Sequence, residues 1–337
     1  MTIVRTRDAP IADLADFSHD QIARGSKSFA LAARLFTPDI RASAYMLYAW
    51  CRHCDDMVDG QVLGFRSPHQ TVDRAALATI IEDLERKTHL ACEGKADETA
   101  FRALAQVTQR HAIPKRHPLE LIAGFRMDAE NRQYETLDDT LEYSYHVAGV
   151  VGVMMAMVMG VRDRTILDRA SDLGIAFQLT NIARDVIQDH EAGRIYLPSE
   201  WLAEAGLSRE TMSMRENRQA LFTVTDRLLE SAEPYYTSAK LGISHLPWRS
   251  AWAVATARSV YRSIGFEVRR RKAGAWDKRA GTGITRKLLG VCEGLFCATL
   301  NRSALADFDK HGRDGLWTMP DQPLPFSRTK GPANTSD

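Results

Sequence analysis

Residues 51–59 read Cys51-Arg52-His53-Cys54-Asp55-Asp56-Met57-Val58-Asp59, directly after the apolar-aromatic run Ala44-Tyr45-Met46-Leu47-Tyr48-Ala49-Trp50. On a helix, Asp55 and Asp59 stand four apart and lie one above the other on a single face, with Arg52 three residues before Asp55 on the same face. Asp56 points about 100° away and ranks behind them. Like charges at this spacing repel and weaken an isolated helix, so the face calls for a neutralising partner, and a hard divalent cation fits. The pattern recurs in Asn181-Ile182-Ala183-Arg184-Asp185-Val186-Ile187-Gln188-Asp189, where two aspartates again stand four apart, with an Arg beside the first and an Asn four before it.

Outward from these two stretches the apolar spacing is helical almost throughout. It predicts helices over 10–36, from Pro38 into the first aspartate cluster, and over 71–89, 97–112, 119–134, 137–161, 165–191, 208–240, 247–273 and 284–310. Period-2 alternation is almost absent, so the fold class is all-α. No Gly/Ser-rich or Pro-rich linker divides the chain, which predicts one domain over 1–318. From Met319 the residues Pro320, Pro323, Pro325 and Pro332 and the scarcity of apolar side chains predict a disordered tail over 319–337.

Composition narrows the class. Hydrophobic residues make up 45% and charged residues 26% of 337 residues, as in soluble globular proteins, and a formal net charge of +1 gives no global field toward nucleic acid. The start, Met1-Thr2-Ile3-Val4-Arg5-Thr6-Arg7-Asp8, does not read as a secretion signal. The apolar run Val147–Val161 is shorter than the ~20 residues a spanning helix needs and reads as a buried core helix. Five cysteines, an odd number, fit a reducing cytoplasm. Cys51 and Cys54 have no second pair at zinc-site spacing and read as small core-facing residues. Trp50 and His146 read as core, Gly149 and Gly152 as places of close helix approach, and Arg269-Arg270-Arg271-Lys272 as a solvated helix end.

Two helices that each offer a carboxylate pair can face one another across a bundle. Magnesium takes oxygen ligands and is held by one or two carboxylates together with substrate phosphates. Two carboxylate walls therefore suit a diphosphate gripped through bridging ions, and flanking arginines grip phosphate oxygens bidentately. Loss of diphosphate leaves a carbocation, which survives only in a dry, aromatic-lined cavity.

Ser26-Lys27-Ser28-Phe29 and Tyr48–Asp59, then Tyr143-Ser144-Tyr145-His146-Val147-Ala148-Gly149-Val150-Val151-Gly152, then Phe177–Asp189 and Gly193-Arg194-Ile195-Tyr196-Leu197-Pro198 together resemble the squalene and phytoene synthases, nearest to their bacterial phytoene-forming members. The blocks fall in that family's order and cover most of residues 20–300. The resemblance implies a single-domain isoprenoid synthase fold, a helical bundle around a deep central cavity. It implies head-to-head condensation of two prenyl diphosphates through a cyclopropylcarbinyl diphosphate, the first step of carotenoid biosynthesis when the product is phytoene. Asp55, Asp59, Asp185 and Asp189 would bind Mg²⁺ (or Mn²⁺), with Asn181 assisting. Ser26, Ser28, Tyr48, Arg52, Gln178 and Arg184 would contact diphosphate or its waters, joined by Arg279 as the family's late basic residue. Tyr143 and Tyr261 would face the reacting carbons or the departing diphosphate, and Phe29 would lie with the substrate. Gly25 stands where some relatives carry His, so any diphosphate contact there falls to backbone.

Small residues at Ala30, Ala32 and Ala33, one turn from Phe29, would leave room for long tails. Ala33 therefore points to C20 geranylgeranyl diphosphate, and the resemblance to the phytoene-forming members implies that no NADPH is required. Greasy substrate and product make a peripheral contact at the inner face of the membrane, and neighbouring carotenoid-pathway enzymes, the expected partners of a cytoplasmic protein. Alternatives stay open. Asp55-Asp56-Met57-Val58-Asp59 also spells the D-D-x-x-D of chain-elongating synthases, although Asp185–Asp189 does not. A C30 dehydrosqualene or squalene-type synthase, a cyclising terpene synthase and a non-catalytic assembly factor with the same fold are the other readings.

Overall fold

The computed structural model describes residues 27–59, 61–62, 65–66, 74–281, 283–300 and 313–318. They are helical almost throughout: α1 Lys27–Ala33, α2 Pro38–Asp59, α3 Arg74–Cys92, α4 Thr99–Arg110, α5 Arg116–Ala129, α6 Leu137–Ser144, α7 Val150–Val158, α8 Arg164–Glu191, α9 Ser199–Glu204, α10 Arg218–Ile243, α11 Trp248–Arg271 and α12 Ile284–Leu300. A two-residue antiparallel ladder pairs Gln61–Val62 with Phe65–Arg66 just beyond α2, and it is the sole strand pairing among the described residues. The all-α expectation holds. The predicted stretch 10–26, the end of the last predicted helix beyond 300 and the tail 319–337 lie outside the described residues.

Boundaries moved where local chemistry overrides periodicity. α5 starts at Arg116 rather than 119, because Pro118 is tolerated in a helix's first turn. It ends before Asn131, whose φ is 52°. α10 starts at Arg218 rather than 208, because Ser208 and Thr211 bond each other's backbone N–H groups and turn the chain instead. α6 opens on a capping box, the Thr136 side chain accepting from the Asp139 N–H and the Asp139 carboxylate from the Thr136 N–H.

The core explains the elements. Trp50 and Cys54 of α2, Phe101, Leu104 and Val107 of α4 and Met154 of α7 are all buried. Trp50 is a core residue, as its setting predicted. Cys51 is not: it is a free thiol that lines the central cavity. His146 is a satisfied core histidine, its Nδ1 2.9 Å from the Glu120 carbonyl and 3.1 Å from the Glu120 carboxylate. The apolar helix Leu137–Val158 is long enough to cross a membrane, but 67% of its apolar window is buried inside the protein. It is a core helix. The basic run at the end of α11 is a solvated helix end tied by ion pairs, Arg269 to Asp226 and Arg270 and Arg271 to Glu267.

Two features bring the cavity walls together. Between α6 and α7 the helix widens into a π turn over Tyr145–Gly149, whose Val147 and Ala148 face the cavity. π turns insert one residue and re-aim those around it. Then α7 crosses α8 backbone to backbone. A Cβ on Gly152 would sit 2.3 Å from the Ala170 carbonyl oxygen, and one on Gly174 would sit 2.2 Å from that of Ala148. Only glycine permits this approach. Behind the π turn, residues 313–318 close the bundle: Arg313 holds the fully buried Asp172 with two hydrogen bonds of 2.8 and 2.6 Å, and Trp317 packs on Tyr145 at 4.7 Å.

Candidate active site

α2 and α8 both run from a floor that is apolar except for the buried Arg169 to an acidic rim. Along α2 the cavity meets Ala44, Leu47 and Tyr48, then Cys51, Arg52 and Asp55; along α8 it meets Ile166, Arg169, Ala170 and Leu173, then Phe177, Gln178 and Asn181. Between them lies a cavity of about 490 Å³ whose lining is mostly apolar. Helical spacing accounts for both polar ends, since 48, 52 and 55, like 178, 181 and 185, fall on one face.

The first wall is braced from its own helix. Arg52 bonds Asp55 at 2.7 Å and Asp56 at 2.6 Å. Asp56 is thereby an arginine partner outside the cavity lining, as its helix angle predicted. Asp59 is the last residue of α2, and its side chain lies outside the described residues. Burial pushes the Tyr48 hydroxyl up to about 12, although Arg52 pulls the other way, so it stays a neutral donor.

The second wall is braced from two directions. Arg184 grips Asp185 from the adjacent position, and Arg279 reaches it with two hydrogen bonds of 2.9 and 2.8 Å. Burial opposes the charge on Asp185, but the two guanidinium groups outweigh it and hold the carboxyl below the usual range. Asp189 is different: burial first, then the charge of Asp185, push its carboxyl up to about 7. The Trp276 indole, which donates to the Ala183 carbonyl at 3.1 Å, pins the loop carrying Arg279 against α8.

Among the other expected residues, Tyr143, Gln178, Asn181 and Tyr261 line the cavity. Ser26 lies outside the described residues. Ser28 and Phe29 lie on α1, but their side chains are outside the described set. Ala33 corrects an expectation: it is fully buried in the core, and the cavity wall at α1 is formed by Leu31 and Ala32. The tail-length argument built on Ala33 passes to Ala32.

Three residues were missed. Asp128, at the end of α5, lines the cavity and accepts hydrogen bonds from Tyr143 Oη at 3.0 Å and Tyr196 Oη at 2.8 Å. The Tyr143 and Tyr196 rings stack at 4.6 Å with Tyr134 edge-on at 5.4 Å from Tyr143. Burial, then Asp128, raises the Tyr143 hydroxyl well above its ordinary range, so it stays protonated. Phe177 stacks on Tyr261 at 4.1 Å and gives the cavity a second aromatic face. Asp128 stands in no carboxylate repeat. Tyr196 lies in the Gly193–Pro198 block, where only its place beside the second wall could have marked it.

The residues fit a hard divalent cation. The Asn181 Oδ1 is buried without a hydrogen-bond partner, and the carboxylate of Asp185 stands one helical turn further along the same face, both oxygen ligands of the kind such a cation takes. Among the described residues no three acidic, His or Cys side chains are drawn together around one point, because arginines hold Asp55 and Asp185.

The family described as Squalene/phytoene synthase matches residues 22–286. The chain is 53% identical over 264 residues to a 15-cis-phytoene synthase of Enterobacter agglomerans, covering 78% of this chain and 89% of that one. It is 48% identical over 313 residues to a 15-cis-phytoene synthase of a Paracoccus species, covering 92% and 99%. Among solved structures, a dehydrosqualene synthase in complex with ligand superposes with a TM-score of 0.74 at 29% identity, covering 84% of this chain and 96% of that one. The chain belongs to the squalene and phytoene synthase family of prenyltransferases.

Proposed function

We propose that the protein condenses two molecules of geranylgeranyl diphosphate head to head to give phytoene, releasing two diphosphates, in one catalytic domain over residues 1–318. The observation that carries this reading is the joining of an arginine-braced acidic rim to a mostly apolar cavity on the same two helices, α2 and α8. Half-identity to phytoene synthases over most of the chain supports the C20 substrate.

In the first step the allylic C–O bond of one substrate breaks and its electron pair leaves on diphosphate. The cation is captured by the double bond of the second substrate, and loss of a proton leaves a cyclopropylcarbinyl diphosphate. A second ionisation, rearrangement and proton loss then set the central double bond without hydride from NADPH. Arg52, Arg184 and Arg279 receive diphosphate oxygens, with Tyr48 as a neutral donor. Tyr143, Phe177 and Tyr261 turn ring faces to the cationic carbons, where the negative face of an aromatic ring favours positive charge. Asp128 fixes the Tyr143 and Tyr196 hydroxyls and keeps those rings stacked. Asp55, Asp59, Asn181, Asp185 and Asp189 would hold Mg²⁺ or Mn²⁺, which when bound supplies charge to the departing diphosphate. The family generally needs a divalent metal.

The test is purified protein with Mg²⁺ and the C20 or C15 diphosphate, with and without NADPH, followed by product mass. The expected product is a C40 hydrocarbon with a conjugated central triene, formed without NADPH. A C30 product or a reductant requirement would move the protein to the farnesyl-using branch. Absence of magnesium-dependent turnover on both substrates would favour the non-catalytic assembly role.

A further inference from the structure

Helix α12 is inside out for an outer helix. Its buried side carries Gly290, Gly294 and Ala298, and its opposite side presents Leu288, Leu289, Cys292, Leu295, Phe296 and Thr299 to solvent. Four of these are large and apolar, with Leu288 59%, Leu289 52%, Leu295 38% and Phe296 67% exposed. From Leu288 to Thr299 the one charged side chain is Glu293, exposed and paired with Arg286 at 2.6 Å, whereas the solvent face of an ordinary amphipathic helix is where charges collect. We infer that this face of α12 is a membrane-docking surface that sets the protein on an anionic lipid bilayer, its leucines and Phe296 entering the acyl boundary.

Three observations select a bilayer as occupant. Charge is the first. Lys240, Arg249, Arg286 and Lys287 lie on or beside the ends of the α11–α12 pair, with Glu293 the local acid. Lys240 and Arg258 lie close enough to the Cys297 thiol to offset part of the rise that burial imposes on it. Glu293 offsets Arg286, and Lys240, Arg249 and Lys287 add positive charge around the apolar stripe of a chain whose formal net charge is only +1, the combination that binds anionic headgroups. Size is the second. Among the described residues, 288–299 make a strip roughly 17 Å long and 10 Å wide, short of the ~800 Å² each partner gives to a stable dimer. The third is position. A Cβ on Gly294 would lie 2.4 Å from Thr256 Oγ1, and one on Gly290 would lie 2.8 Å from a Val260 methyl. Thr256 and Val260 both line the cavity. The stripe is thus one helix away from the interior that the proposed function fills with hydrocarbon. Trp248, 38% exposed and packed on Trp252 at 5.4 Å, flanks the C-terminal end of the stripe, because the two helices run antiparallel. An indole there suits the headgroup level.

The inference rests on the proposed function for its purpose, but its test does not read turnover. Flotation of the full chain with vesicles of phosphatidylglycerol and phosphatidylcholine, against phosphatidylcholine alone, is the measurement. Binding should require the anionic lipid, weaken with salt and drop at least tenfold in Leu288→Glu/Phe296→Glu. Circular dichroism checks the fold of that variant, and Phe296→Trp gives an independent reading, a blue shift of its emission on adding anionic vesicles. Undiminished flotation of the double variant, or no spectral shift in F296W, would overturn the assignment. So would a stable dimer by light scattering that L288E/F296E dissociates. Condensation assayed in detergent should be equal in parent and double variant; its absence from both would count against the proposed function and leave the vesicle result standing.

Discussion

On α2 the carboxylate of Asp55, 36% exposed, is held by Arg52 three residues earlier on the same helix. On α8 the carboxylate of Asp185, 15% exposed, is held by the adjacent Arg184 and by Arg279, 94 residues further along. The same D-x-x-x-D spacing is therefore a local device in one wall and a tertiary joint in the other. Under the proposed function Asp185 serves both diphosphate departure and the docking of the 272–280 loop, whereas Asp55 makes no such tertiary bond to an arginine. Alanine at either position should cut condensation by about 100- to 1,000-fold, because each removes charge that organises diphosphate departure. Stability should separate them. Asp55→Ala leaves Arg52 its bond to Asp56 and should cost under about 0.5 kcal/mol. Asp185→Ala strands two guanidinium groups and should cost about 2 kcal/mol, below the 3–5 kcal/mol of a fully buried pair because Arg279 is 64% exposed. Equal losses in urea unfolding would break the distinction.

Arg279 sharpens the same contrast from the other side. Its two bonds to Asp185 compete with any cation for those oxygens, whereas Arg52 divides itself between Asp55 and Asp56. Arg279→Ala should therefore lower kcat/KM for the prenyl diphosphate by about tenfold, the worth of one charge-assisted bond to phosphate, while lowering the Mg²⁺ concentration that gives half-maximal rate. An unchanged or raised Mg²⁺ requirement would show that Arg279 does not restrain the metal-binding form of Asp185.

What was legible in the sequence follows from the range of the interactions. The helices, both aspartate walls and the close approach at Gly152 are written in spacings of three, four or seven residues, which helix geometry converts directly into shared faces. Asp128 was illegible because its role depends on two tyrosines, one 15 and one 68 residues away, that meet only after α5, α6 and the loop before α9 pack. The error of one residue at Ala33 has the same origin. Periodicity shows that α1 is small-sided, but three alanines in the four positions 30–33 leave its rotation open, and a 100° step exchanges cavity for core. The bond of Arg279 to Asp185 rests on Trp276 anchoring a loop to the Ala183 carbonyl, which no local pattern encodes.

The smallest expected effect divides the second wall itself. Asp185 and Asp189 share a helix face, yet arginines hold the first carboxyl below its usual range while burial and the charge of Asp185 push the second up to about 7. A carboxyl raised from 3.8 to about 7 binds more protons in the folded than in the unfolded state between those values, so stability declines as pH rises through that window. Without metal, the parent should therefore melt at lower temperature at pH 8 than at pH 5.5 on account of Asp189. Asp189→Asn, which cannot ionise, should lose that part of the slope and melt about 2–4 °C above the parent at pH 8 in EDTA. Added Mg²⁺ should reverse the order, since the cation takes the deprotonated carboxylate and stabilises only a chain that carries it. Asp55→Asn, on the more exposed wall, should show neither the gain nor the reversal. A D189N protein whose melting follows the parent at both pH values would mean that the burial of Asp189 is relieved in solution, and that the two walls differ in their arginines alone.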